Sequence, residues 1–237
     1  MIPYIATIFY LSALFHRAFL FIAILLQSYY LISRGLMLGR LPLVGLHDTL
    51  IFLSLTTALF YLPIYYYVDP KNRKLLTSMV ALLCAIFSLS GALATASSAP
   101  LPPVLRTFWF ELHVTLSFLS YGLFGIAALL GLMYIKNTEK TLEKYQYLTI
   151  LIGYLLFSLS MIFGGIWAFY AWGTYWLWTP KELWTTLLWL VYTLYLHLRY
   201  RPYWRGKPVA IVGVVGYAVV LFTYLGVGLL MKSSHSF

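Results

Sequence analysis

The fold class this sequence predicts is an all-α, polytopic membrane protein, and three observations predict it. Hydrophobic residues make up 62% of the chain and charged residues 9%, with a mean hydropathy of +0.85. Seven apolar runs each approach the roughly 20 residues an α-helix needs to cross a bilayer. The charged residues fall mostly in the short connections between those runs, where they act as determinants of orientation. The net charge of +10 is therefore a topology signal before it is a nucleic-acid patch, and no nucleic-acid partner is expected.

The expected spans cover about 7–32, 49–67, 75–97, 110–135, 146–167, 183–200 and 209–231. The first run is long enough to stay in the bilayer, so no cleavable signal is expected. Ten basic residues lie in three alternate connections: Lys71, Arg73 and Lys74; Lys136, Lys140 and Lys144; Arg199, Arg201, Arg205 and Lys207. Five lie on the opposite side: Arg34, Arg40, Arg106, Lys181 and Lys232. The positive-inside rule then expects a cytoplasmic amino terminus and an external carboxy terminus. The proline-interrupted segment 98–108 is expected as an external loop, since proline removes a helix donor and clashes with the preceding turn. Without repeats or low-complexity stretches, 1–237 is expected to form one integral membrane domain.

Between the fifth and sixth spans, an external aromatic loop is the most distinctive stretch. From Gly165 to Trp184 it reads GIWAFYAWGTYWLWTPKELW and holds five of the eight tryptophans: Trp167, Trp172, Trp176, Trp178 and Trp184. Tyr170 and Tyr175 stand among them, and Lys181 and Glu182 are the nearby charges. Such rings suit a membrane–water boundary, where one edge is apolar and the other wet. A plain aromatic belt is the simpler reading of this stretch, and a ligand-binding shelf is the sharper one.

Chemistry by cysteine or nucleotide is narrowed early. Cys84 is the only cysteine, which excludes an internal disulfide, a CxxC thiol motif and a cysteine-based metal cluster. No phosphate-binding loop or dinucleotide fingerprint occurs. The histidines remain. His113 begins the fourth span and His235 follows the seventh, so both are expected outside, flanking the tryptophan loop. Two neutral imidazoles beside a flat apolar platform are what bis-axial ligation of a haem iron requires. Alternatively, His113 bonds a loop carbonyl at its helix start and His235 is a tail residue. His197 lies fifteen residues beyond Glu182, about 22 Å deeper at 1.5 Å per residue. It suits either a hydrogen bond within the bilayer or a second haem ligand, whose partner histidine is His16 or one from another subunit. His16 and Arg17 are expected at membrane depth in the first span, where ionisable groups are costly. His47 and Asp48 precede the second span, with Asp48 expected as a helix cap.

These segments resemble the CcsA (ResC) family, the WWD-domain haem-handling subunit of system II cytochrome c biogenesis. The resemblance rests on an ordered set covering about 36–237: Gly39–Ser54, Leu112–Val114 with Ser120 and Tyr121, Trp172–Trp184, Tyr195–Arg199, Trp204–Gly206, and YLGVGLL followed by a terminal HSF. It implies that the tryptophan-rich signature binds haem b on the outer face, with His113 and His235 as iron ligands. It further implies His197 as a transmembrane ligand, a CcsB-like (ResB-like) partner subunit, and an apocytochrome c whose CxxCH thiols take up the haem vinyl groups. Trp167, Trp172, Tyr175, Trp176, Trp178 and Trp184 are its expected cofactor-binding rings, and no residue is assigned a catalytic role. The setting is the bacterial cytoplasmic membrane or a thylakoid membrane. A CcmC-type transfer protein shares the W-G-x-Y-W-x-W core, and a haem exporter without attachment chemistry is the other alternative; a transport or structural membrane protein without haem lies further off.

One departure stands in the signature. Thr179 occupies the position where the family usually has aspartate, keeping a capping oxygen but no charge. Either Glu182 takes over that charge or the aspartate serves mainly as a cap; the cap is expected, so haem content should be unchanged in Thr179→Asp and fall in Thr179→Ala. A large gain of haem in Thr179→Asp would instead show that the charge matters.

Overall fold

The computed structural model describes residues 1–230, and every described regular element is helical. The chain forms two compact units, one before and one after the Leu101–Pro102 junction. Among the described residues, six helices are long and apolar enough to cross a membrane.

The first unit contains α1 (Ile2–Ser12), α2 (Ala18–Leu38), α3 (Leu46–Tyr67) and α4 (Pro70–Leu93). The expected first span is thus two helices, broken at 13–17. With 11 residues, α1 is about 16 Å long, roughly half of a bilayer's hydrocarbon core. It runs antiparallel to α4: the Tyr4 hydroxyl donates to the Ala92 carbonyl at 2.9 Å, and Thr7 donates to Ser88 at 2.9 Å. Met1 therefore lies at the α4 carboxy-terminal end of this unit, opposite the 68–74 connection. The expectation that both share one side is corrected by this hairpin. His16 and Arg17 are likewise not buried within a continuous span; both are exposed in the break between helices.

Polar side chains join the helices of this unit where lipid offers them no partner. Tyr10 donates to Gln27 at 2.7 Å, Gln27 to Ser54 at 3.2 Å, and Ser54 to the Cys84 carbonyl at 2.9 Å. Gly91 lets α3 and α4 meet closely, since a Cβ there would sit 3.1 Å from the His47 carbonyl.

At the far end of the unit the expectation for Asp48 is corrected. Gly45 precedes α3 without a side-chain cap, and Asp48 is buried against the guanidinium of Arg34 through both carboxylate oxygens. Arg34 also donates to the Ser97 carbonyl at 2.8 Å, holding the segment after α4. A carboxylate buried beside a guanidinium gains more from that pair than from one backbone N–H, and this settles its direction.

The second unit is an antiparallel bundle of α5 (Phe108–Asn137), α6 (Lys140–Trp172), α7 (Pro180–Tyr200) and α8 (Lys207–Leu221). A π-helical turn at Phe222–Gly226 leads into α9 (Val227–Leu230). The up-down order brings the start of α5, the end of α6, the start of α7 and the end of α8 to one end. The other end is closed by Arg199 donating to Glu143 at 2.8 Å, with the Arg199 guanidinium over the Tyr147 ring. Of the seven expected spans, 183–200 forms helix α7 but falls outside the six apolar ones, because threonines, Lys181, Glu182, His197 and Arg199 dilute its leucines.

Breaking the Arg34–Asp48 pair leaves an uncompensated buried charge. Arg34→Met is expected to lower stability by about 3–5 kcal/mol in detergent unfolding. Arg34→Met combined with Asp48→Leu should cost less than that single change; a larger cost would contradict the pairing.

Candidate functional site

The tryptophan end of the second unit is built outward from His113 on α5. Its Nδ1 lies 2.8 Å from the Ser160 carbonyl on α6. A carbonyl can only accept, so the proton sits on Nδ1 and the lone pair on Nε2. Nε2 makes no hydrogen bond among the described residues. Ser117 and Ser160 both donate to the His113 carbonyl at 2.9 Å, fixing the backbone that carries the ring. The ring seats against Gly164, where a Cβ would stand 2.6 Å from Nδ1. On its other flank it stacks with Trp167, centroids 6.3 Å apart at 13°.

Trp167 is buried and donates its Nε1–H to the Val104 carbonyl at 2.8 Å, pinning the segment before α5. It packs edge-on against Trp172 at 4.9 Å and tilts against Phe110 at 5.1 Å. Trp167 therefore lies behind His113, whereas Trp172, Trp176 and Trp184 are half-buried and Tyr170, Tyr175 and Trp178 are exposed. Trp184 packs on Phe222 in the π-helical turn at 4.4 Å, joining α7 to α8.

Gly173, at φ +74°, ends α6 in the left-handed conformation glycine tolerates best. The loop folds back so that the Tyr175 carbonyl would lie 3.5 Å from a Cβ at Gly165, and the Tyr175 ring stacks on Phe169 at 4.7 Å. Pro180 opens α7, and Thr179 caps it in a reciprocal capping box with Glu182. The Glu182 carboxylate is buried and accepts from Thr179 N at 2.8 Å and Leu177 N at 3.0 Å. Those two bonds bracket Trp178, whose φ of +57° is rare for a residue with a side chain. The sequence signals a cap at Thr179; the left-handed Trp178 has no sequence signal. Lys181 is half-buried with no carboxylate partner among the described residues, and burial lowers its pKa from the usual lysine value.

The remaining histidines divide by their hydrogen bonds. His197 lies at the opposite end of α7, with Nδ1 2.8 Å from the Thr193 carbonyl, so its Nε2 is also left with the lone pair. It is exposed beside a depression of about 390 Å³ shared with Leu198, Tyr200 and Arg201. In the first unit, His47 is buried with Nε2 on the Tyr30 hydroxyl at 2.6 Å and Nδ1 at 3.3 Å from the Ala94 carbonyl, so both nitrogens are engaged. His16 uses Nδ1 to accept from Ala18 N at 3.3 Å. His235 lies outside the described residues. Thus His113 and His197 share the hydrogen bonding that prepares an imidazole to act as a ligand through Nε2. Among the described residues, no group of three or more His, Cys, Asp or Glu side chains forms a metal site.

Residues 43–235 match the family described as cytochrome C assembly protein. A CcsA cytochrome c biogenesis protein of Trieres chinensis is 30% identical, covering 91% of this chain and 84% of that one. The chain belongs to the CcsA family of cytochrome c assembly proteins. The Synechococcus sp. (strain CC9605) CcsA is also 30% identical, over 93% of this chain and 86% of its own length. The Chlamydomonas reinhardtii CcsA is 36% identical over 84% of this chain, but this chain spans only 61% of that relative. A solved structure, titled cytochrome c heme lyase CcmF, shares the fold with a TM-score of 0.75 at 16% identity. The match covers 94% of this chain and 44% of CcmF.

The seat of His113 can be tested without a ligand. Gly164→Ala should force the imidazole away from the Ser160 carbonyl, at an overpacking cost of about 1–3 kcal/mol. Nitrogen NMR should then show loss of the fixed Nδ1–H tautomer at His113 and no change at His197. An unchanged His113 signal would refute the geometry.

Proposed function

We propose that this CcsA-family chain acts in cytochrome c maturation by presenting haem b at its tryptophan end to the CxxCH thiols of an apocytochrome c, working with a CcsB-like subunit. The observation that carries this reading is His113: its proton is committed to the Ser160 carbonyl, leaving Nε2 for iron, at an end lined with half-buried and exposed rings. The residues fit a haem in kind. Imidazole supplies an axial donor, the faces of Trp172, Tyr175, Trp176, Trp178 and Trp184 suit a flat apolar macrocycle, and Lys181, without a carboxylate partner among the described residues, is a cation for a propionate.

His235 is assigned as the second external ligand. The described chain ends at Leu230, beyond the helix whose Phe222 packs on Trp184. His197 is assigned to a second haem, completed by a partner subunit. It continues an exposed stripe of Leu183, Leu187, Leu190 and Leu194 along α7, an apolar face open to lipid or another protein.

The protein's share of the work is positioning. When bound, haem supplies vinyl groups that accept the client's thiols as thioethers, and this chain holds the edge that must be reached. The bracketed Trp178 keeps its ring in place on the exposed side of the loop, while His113 and the buried Trp167 form a fixed back wall. The membrane is the bacterial cytoplasmic membrane or the thylakoid, with the tryptophan end facing outward.

Protein purified with its partner should show a bis-histidine haem spectrum. His113→Ala and His235→Ala should each lose it and regain it with added imidazole, whereas His197→Ala should lower haem loading from cells without changing the external ligands. Normal spectra in both external variants would refute the ligand assignment, and haem release without thioether formation on apocytochrome would favour an exporter.

A further inference from the structure

The break after α1 leaves one charged group unexplained by haem chemistry. Arg17 donates through Nη1 to the Tyr65 hydroxyl near the end of α3, and its guanidinium carbon lies 5.1 Å from the Tyr65 ring centroid. The Arg73 guanidinium carbon, from α4, lies 5.0 Å from the same centroid. Two cations thus converge on one phenol ring, although like charges repel unless an anion joins them. Neither has a carboxylate partner among the described residues. The nearest acid in sequence, Asp69, is engaged in capping α4 through Lys71 N at 3.1 Å.

Arg73 is held in place by the chain itself. Its Nε donates to the Val68 carbonyl at 2.9 Å and its Nη2 to the Tyr66 carbonyl at 3.1 Å, closing the end of α3. These bonds leave Nη1 of Arg73 and most of the Arg17 fork without acceptors among the described residues. The surroundings are those of a membrane–water boundary. Phe15 is 90% exposed in the break itself, and Tyr66 and Tyr67 are exposed at 70% and 63% beside it. Bulky rings at this level favour a phosphate carried on a lipid over one free in water.

We propose that Arg17, Arg73 and Tyr65 form a binding site for the phosphate of an anionic phospholipid headgroup, which neutralises the two guanidinium groups gathered on the Tyr65 ring and holds the α1–α2 break at the membrane surface. Guanidinium groups match phosphate oxygens bidentately, and the Tyr65 hydroxyl holds the Arg17 fork toward the shared anion.

Native mass spectrometry of the full chain in a neutral detergent tests this, with phosphatidylglycerol, phosphatidylcholine and inorganic phosphate as separate probes. Phosphatidylglycerol should bind about tenfold or more tighter than phosphatidylcholine. Arg17→Gln should reduce that preference roughly fivefold, the effect of one basic residue at an anionic surface. Tyr65→Phe, which keeps both charges, should reduce it less. Because Arg73 also closes α3, Arg17→Gln is the deciding variant, with unchanged melting in the absence of anionic lipid as its control. Equal binding of both lipids, an unchanged preference in Arg17→Gln, or full displacement of the lipid by inorganic phosphate would each overturn the assignment.

Discussion

Between Gly173 and Thr179 the chain must cross from one helix to the next at a membrane boundary without a helical hydrogen-bond ladder, and the carboxylate of Glu182 organises that crossing. It lies one turn into α7, is buried, and accepts backbone N–H groups from both sides of Trp178. Thr179 completes the exchange by capping α7. The result is a short loop whose rings have fixed directions although the loop has no regular structure. A loop held only by aromatic packing would not hold a left-handed tryptophan, whose conformation costs on the order of 1–3 kcal/mol.

The same logic of satisfying polar groups internally runs through both units. At His113 on α5 and His197 on α7 the Nδ1–H is assigned to a backbone carbonyl and Nε2 is left over. Where both nitrogens are already engaged, as at His47, the ring belongs to the scaffold. This distinction separates histidines that leave Nε2 without a hydrogen bond among the described residues from those that join helices through both nitrogens, and it does so without reference to their depth in the bilayer.

Glycine placement adds a second level of control. Gly164 leaves room for the His113 ring, and Gly91 allows the α3 backbone to approach α4 near the buried Arg34–Asp48 pair. In both places a methyl group would meet atoms that are themselves held by hydrogen bonds. The consequence is that the imidazole and the buried ion pair sit at points where the helices cannot adjust independently.

Composition and spacing by themselves determined the helical membrane class, the aromatic end between the fifth and sixth spans, and His113 beside it, because hydropathy and ordered motifs are local properties of the chain. The cap at Thr179 was also readable, since a capping box is written in four consecutive residues. Tertiary structure alone decided that the first expected span breaks at 13–17, around His16 and Arg17, with α1 packed back along α4. It likewise decided that Asp48 faces Arg34, that Trp167 lies behind His113 while Trp178 is exposed, and that the His113 Nδ1 meets the Ser160 carbonyl. Each of these depends on which distant carbonyl, guanidinium or ring is brought near, and hydrophobic periodicity carries no record of those partners.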